Sequence, residues 1–278
     1  MGEKLNLERA WNEATAMLSA NRDVVLIVAA VFFFLPNVIS ALILPSQDAL
    51  VMQLQAMGDN PEPDEVFALM GDYFAGSWWI YVIFTLIQGA GMLGLLALLT
   101  DRSRPTVGEA LIFGAKALLP YVLAQILIGM AMVLPVILLI ALGAAINAAL
   151  AVVLAFVGIV LMIYIWVKFS LLSPVLAIDQ VMNPIKALAR SWRLTKGNSL
   201  RLFALYVLLV VAVMVLSLVA GLVFALFAVL GETIGLLVAA IGGGLISMAF
   251  TTIMLAVLAA AHRQLSGGSA QSARETFE

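Results

Sequence analysis

Cysteine is absent from the chain, and histidine occurs once, as His262. The first absence excludes disulfides, thiol nucleophiles and thiolate metal sites. The second excludes a His-rich metal centre, and no cofactor is expected. Charge is also scarce: Asp, Glu, Lys and Arg make up 11% of 278 residues, where a soluble domain carries about 25%. So few charges cannot cover a folded surface of this size, and lipid must cover most of it. The net charge of −2 decides little, because placement matters more than the sum in a membrane protein. It gives no reason to expect a nucleic-acid partner.

What is present is 64% hydrophobic residues, much of it in long uncharged runs. Ala117–Val167, Leu202–Leu230 and Thr233–Ala261 contain no ionisable Asp, Glu, Lys, Arg or His. A crossing of the bilayer core takes roughly 20 helical residues. The sequence therefore predicts an all-α polytopic membrane protein with six spans, about 24–45, 78–99, 118–142, 147–167, 202–230 and 234–261. The longest run must fold back on itself, and Gly143–Asn147, with its small residues, permits the reversal. Residues 1–263 are expected to form a single transmembrane domain, followed by a Ser-, Gly- and Ala-rich tail over 264–278 that reads as disordered. The first 23 residues are too long and too acidic for a signal-peptide n-region, so the first span is expected to be retained.

Lys and Arg set the orientation. All 14 fall in four segments: up to Arg22, Arg102–Lys116, Lys168–Arg201, and from Arg263 onward. Six spans bring those segments to one side, predicted to be cytoplasmic together with both termini. The 46–77 loop on the other side has no Lys or Arg and carries Asp48, Asp59, Glu62, Asp64, Glu65 and Asp72. Trp78, Trp79 and Tyr81 at one predicted boundary, and Trp11, Tyr121, Tyr164, Trp166, Trp192 and Tyr206 near the other, fit the aromatic belts of a bilayer.

Short amphipathic segments precede the odd-numbered spans. Leu7, Trp11, Ala14 and Leu18 share helical spacing. Thr106 and Glu109 form a capping-box pattern, and Asn183-Pro184 reads as an N-cap with proline at the first helical position. The chain can thus be read as three units of interfacial helix plus hairpin. In the outer loop, Val66, Phe67, Leu69, Met70, Tyr73 and Phe74 form a further apolar helical face.

Two constellations stand out. Gly231, Gly235, Ala239, Gly243 and Ser247 recur at four-residue intervals, a ridge suited to close helix packing within the bundle or to a homo-oligomer face. In the third basic segment, Lys186, Arg190 and Arg193 recur at helical spacing, followed by Lys196 and Arg201. Ile185, Leu188, Ala189 and Trp192 are expected to supply the apolar side. Such a helix lies in the interface and attracts anionic lipid, or serves simply as a positive-inside anchor. Arg102, Arg104 and Lys116 would join the same surface if the units pack around a common axis. Enzymatic signatures are thin. His262 is expected to complement a helix dipole, Glu109 reads as a cap, and nothing fits a nucleophile–base–orienter set.

The stretch from Ser173-Pro174 through Asp179 and Asn183-Pro184 to Ala187, Arg190, Ser191-Trp192, Leu194-Thr195 and Gly197-Asn198 is similar to a known pattern. It resembles the YciC-like bacterial membrane proteins and the membrane domain attached to some glycerophosphodiester phosphodiesterases. Asp179 stands where that pattern more often has Glu. The resemblance implies a bacterial cytoplasmic (inner) membrane protein tied to lipid or envelope homeostasis. It implies no catalysis, because the phosphodiesterase activity belongs to a separate soluble domain. The sequence thus points to a non-enzymatic protein engaging anionic membrane lipids. A passive or lipid-translocating transporter, with Asn37, Gln88 and Gln125 lining a polar path, is the alternative.

Overall fold

The protein is described by a computed structural model covering residues 4–44, 47–58, 61–100 and 105–267. It is all-helical over these residues, and six helices are long and apolar enough to cross a membrane: Arg22–Ile43, Trp78–Thr100, Val107–Ala144, Ala148–Ala177, Ser199–Ala228 and Thr233–Leu265. It is a polytopic membrane protein. In chain order the elements are α1 (Leu7–Ala20), α2 (Arg22–Ala29), a π-helical turn (Ala30–Phe34), α3 (Leu35–Ile43), α4 (Gln47–Ala56), α5 (Pro63–Ala75) and α6 (Trp78–Thr100). There follow α7 (Val107–Ala144), α8 (Ala148–Phe169), α9 (Leu172–Ala177), α10 (Pro184–Thr195), α11 (Ser199–Ala228) and α12 (Glu232–Leu265).

These elements group into two compact units, one made of 1–25, 90–212 and 252–278, the other of 26–89 and 213–251. Every described Lys and Arg belongs to the first unit, and the second holds none.

In the first unit, α7 and α8 form a long hairpin. It turns at Asn147, whose side chain accepts the Leu150 amide at 2.8 Å and so caps α8. Only a glycine fits at 143, because a Cβ there would stand 2.6 Å from the Cα of Ala151. At its other end α7 opens with the capping box: Glu109 N–H donates to the Thr106 hydroxyl at 3.3 Å, and Thr106 N–H donates to the Glu109 carboxylate at 2.8 Å. The box does not open a separate interfacial helix, as the three-unit reading expects. It begins the span itself, and α7 runs unbroken through Pro120 and Pro135 for 38 residues. At 1.5 Å per residue that is about 57 Å, roughly twice the bilayer core. The amphipathic segments before the first and fifth spans are separate helices, α1 and α10.

The buried stripe of α1 is Ala10, Ala14 and Met17 rather than the one through Trp11, which faces outward. A stripe of small side chains lets α1 sit close to its neighbours and leaves the amphipathic indole at an exposed position. Packing between α6 and α7 is closer still. A Cβ on Gly114 would stand 2.3 Å from the Ala90 carbonyl oxygen, and one on Gly94 would stand 3.1 Å from the Ala110 carbonyl oxygen.

In the second unit, Pro36 lies just after the π-helical turn. The wide turn accommodates a ring that would otherwise meet the carbonyl four residues back. The Asn37 amide donates to the Phe33 carbonyl at 2.6 Å, satisfying a backbone group of the turn. In the predicted small-residue ridge, Gly235 does pack, against Ala228, but Gly243 has open space around it and Ala239 is exposed. Gly231 adopts φ +133° at the turn into α12, and Ser247 is half-buried. Gly242, against the Phe224 ring, and Gly244, against Val38 and Phe34, carry the rest of the contact. A strict four-residue repeat drifts around a helix of 3.6 residues per turn, so one neighbour cannot follow it for five positions. In the outer loop, α5 half-buries Val66, Leu69, Met70 and Tyr73 and leaves Phe67 and Phe74 outside.

Residues 264 and 265 belong to α12, with Gln264 buried, rather than to the predicted tail. Residues 268–278 lie outside the described residues, as do Arg102 and Arg104.

Candidate functional site

The third basic segment folds as α10, within the first unit, packed against α7, α8 and α9. Asn183 caps it, accepting the Lys186 amide at 3.0 Å, and Pro184 occupies its first turn. Its buried face is Ala187, Ser191 and Thr195, none of which is a large apolar residue. Ile185, Ala189 and Trp192, the expected apolar side, lie exposed rather than packed into the fold, and Leu188 is half-buried. The reason lies at the end of α8. The last carbonyls of a helix lack intrahelical donors, and the Lys168 carbonyl accepts from the Ser191 hydroxyl at 3.0 Å and the Thr195 hydroxyl at 3.3 Å. The two hydroxyls therefore belong inside, which turns the bulky residues outward.

That outward face presents Lys186, Arg193 and Lys196 with Ile185 and Trp192. Among the described residues none of these three cations is in a salt bridge. A cleft of about 500 Å³ opens beside it, lined by Arg190, Arg193 and Lys196 with Gly197, Asn198 and Leu265. No carboxylate lines it among the described residues. Such a lining is an electrostatic trap for an anion.

The other predicted cations are engaged within the fold or lie elsewhere. Arg201 donates to the Leu5 carbonyl at 2.9 Å, and the Leu5 amide donates to the Asn198 side chain at 2.9 Å. Together with the Asn6 amide on Gln264 at 3.1 Å, these bonds tie the N-terminal segment to α11 and α12. Lys116 stands exposed on α7.

Arg190 forms an ion pair with Asp179, through the same carboxylate oxygen that lies 3.0 Å from His262 Nε2. A carboxylate only accepts, so Nε2 carries the proton that donates to it. His262 stands in the last turn of α12, and beyond complementing the helix dipole it is 1% exposed and binds α12 to the segment entering α10. Burial raises the affinity of Asp179 for a proton, but the bonds from His262 and Arg190 outweigh it and hold the carboxyl below its ordinary range. Gln180, the next residue, adopts φ 52°, a left-handed turn that carries the chain out of this knot.

An Asp–His pair is also the orienter and base of acyl-transfer triads. Here Nδ1 of His262 is buried without a hydrogen-bond partner. No hydroxyl nucleophile meets it among the described residues, and the geometry is that of a tie between elements. Nor does any group of three or more His, Asp or Glu among the described residues come together to hold a metal.

One further charged residue carries little signal in the sequence. Lys168 is 5% exposed near the end of α8, with its ammonium 5.4 Å from the Tyr164 ring centroid and 5.3 Å from that of Trp192. Spacing offers a faint hint, since Tyr164 and Lys168 are one helical turn apart. Trp192 enters only through the tertiary fold. Near by, Gln125 donates to the Tyr121 hydroxyl at 2.8 Å and lines a hollow of about 140 Å³ with Trp166, Ser170 and Tyr206. That volume holds a few waters, at about 30 Å³ each. Compared with known proteins, the chain matches no family model, no curated protein and no solved structure.

Proposed function

We propose that this is a non-enzymatic membrane protein that engages anionic lipid headgroups through α10, with its basic face on the cytoplasmic side of a bacterial inner membrane. The observation that carries the reading is the outward set Lys186, Arg193 and Lys196 beside an exposed Trp192, with no acidic residue among the described residues that line the adjoining cleft. A helix built this way sits at headgroup depth, where each basic residue contributes about 1 kcal/mol toward an anionic surface. Docking through Ser191, Thr195 and the Asp179 knot fixes which face meets lipid, so little ordering remains to be done on binding. The asymmetric placement of Lys and Arg supports the orientation, and the resemblance of the Ser173–Asn198 segment supports a role in lipid or envelope homeostasis. The small volume beside Gln125 does not favour a lipid-translocating path there.

The test is native mass spectrometry of the purified protein with its co-purifying lipids, wild type against Lys186→Gln/Arg193→Gln/Lys196→Gln. All three residues are exposed, so the variant is expected to fold. Loss of retained anionic lipid is expected, by about 3 kcal/mol if the three contributions add. Equal retention by both proteins would overturn the reading.

A further inference from the structure

We propose that Lys168, held between Tyr164 and Trp192, is the central phosphate-binding cation of a lipid-headgroup site at the end of α8. This deepens the lipid reading and rests on it. The residue is 5% exposed, its ammonium makes no hydrogen bond and no ion pair among the described residues, and the nitrogen is not fully enclosed, so a partner can reach it from outside. Enclosing most of a charged side chain weakens its hydration, a cost that grows to several kcal/mol when burial is complete. Two ring faces return about 0.5–2 kcal/mol each. Among the described residues no carboxylate pairs with it, which leaves its open side to an anion from outside. The carboxylate of the segment entering α10, Asp179, is committed to Arg190 and His262.

The cage opens outward. Tyr164 is 45% exposed and Trp192 39%, although the lysine between them is covered. Tyr164 meets Trp192 edge-on at 5.9 Å between centroids, and Phe169 meets Trp192 at 5.6 Å. The indole is thus fixed from two sides while one face stays on the cation. Its position is further locked because the Lys168 carbonyl anchors Ser191 and Thr195 on either side of Trp192. Arg193 and Lys196 follow in sequence, exposed, so the site joins one largely enclosed side chain to two exposed cations. Lysine binds phosphate as a point charge. At the end of an apolar span flanked by exposed aromatics, the anion at hand is a lipid phosphate.

The experiment uses the full chain and three probes: phosphatidylglycerol, phosphatidylcholine and inorganic phosphate. Lys168→Met keeps an apolar stem in the cage and removes the charge, and Lys168→Arg keeps the charge. Phosphatidylglycerol affinity, read by native mass spectrometry, is expected to fall about tenfold or more in Lys168→Met, the scale of one charged hydrogen bond, and to be largely kept in Lys168→Arg. In the wild type, reductive methylation of Lys168 is expected to be blocked by phosphatidylglycerol and not by phosphatidylcholine, a readout that needs no variant. Unchanged affinity in Lys168→Met, or methylation equally fast with and without phosphatidylglycerol, would overturn the site. Protection by millimolar inorganic phosphate equal to that by the lipid would overturn the lipid assignment and leave a free-anion site. If Lys168→Met binds normally while the Lys186/Arg193/Lys196 variant loses lipid, only the cage falls. If neither variant loses lipid, the lipid reading falls with it.

Discussion

Asp179→Ala is expected to destabilise the protein by about 2–4 kcal/mol, read as a lower midpoint in SDS or thermal unfolding. Removing one partner of a buried ion pair costs about 3–5 kcal/mol, and the range is lowered because the Arg190 side chain is 38% exposed and partly screened. His262 has no such relief, since its Nε2 proton would lose its acceptor at a site 1% exposed. Asp179→Asn, which keeps an acceptor oxygen, is expected to lose less. Arg190→Ala on the Asp179→Ala background is expected to add little, because residues sharing one oxygen are not additive. If Asp179→Ala unfolds like the wild type, the knot is not structural.

The pH dependence of that difference follows from the sign of the Asp179 shift. Its carboxyl is held below its ordinary value of 3.8. The stability it contributes is therefore present above that value and is lost only as pH falls through the lower folded-state value. The gap between wild type and Asp179→Asn is expected to close as pH falls below about 4.

Gly114→Val is expected to cost about 3 kcal/mol or more, at the upper end of overpacking effects. The new Cβ would stand 2.3 Å from the Ala90 carbonyl oxygen and 2.8 Å from the Gly94 amide nitrogen, both backbone atoms that cannot swing aside. Close backbone approach of this kind is what holds helices together where lipid removes the hydrophobic drive. Gly129 supplies the control, being on the same helix with nothing within 4 Å of the place a Cβ would take. Gly129→Ala is expected to be neutral or to stabilise by about 0.5–1 kcal/mol through helix propensity. An unfolding midpoint for Gly114→Val equal to that of Gly129→Ala would show that α6 and α7 do not cross at these glycines.

The six long helices were legible because hydropathy alone marks them, and the Gly143–Asn147 reversal because an uncharged run of that length cannot cross once. Caps at Thr106 and Asn183 involve partners three residues away, which sequence also displays. The buried face of α10 was not legible. Both of its stripes are mixed, and the deciding factor is the Lys168 carbonyl, an unsatisfied backbone group contributed by another helix. The same holds for His262 and Asp179, 83 residues apart, and for Gly114, whose role depends on Ala90 and Gly94 facing it. The lysine cage has one ring on α8 and one on α10, so periodicity within either helix could not assemble it.

The central claim, that the α10 face meets anionic lipid, is most directly tested by quenching of Trp192 fluorescence with brominated lipids. Trp11, Trp78, Trp79 and Trp166 are replaced by Phe, leaving one of the five tryptophans, and the protein is reconstituted in mixed bilayers. Brominated phosphatidylglycerol is expected to quench more strongly than brominated phosphatidylcholine at equal mole fraction, with the preference shrinking as salt screens the charges. Equal quenching by the two lipids at low salt would contradict the account.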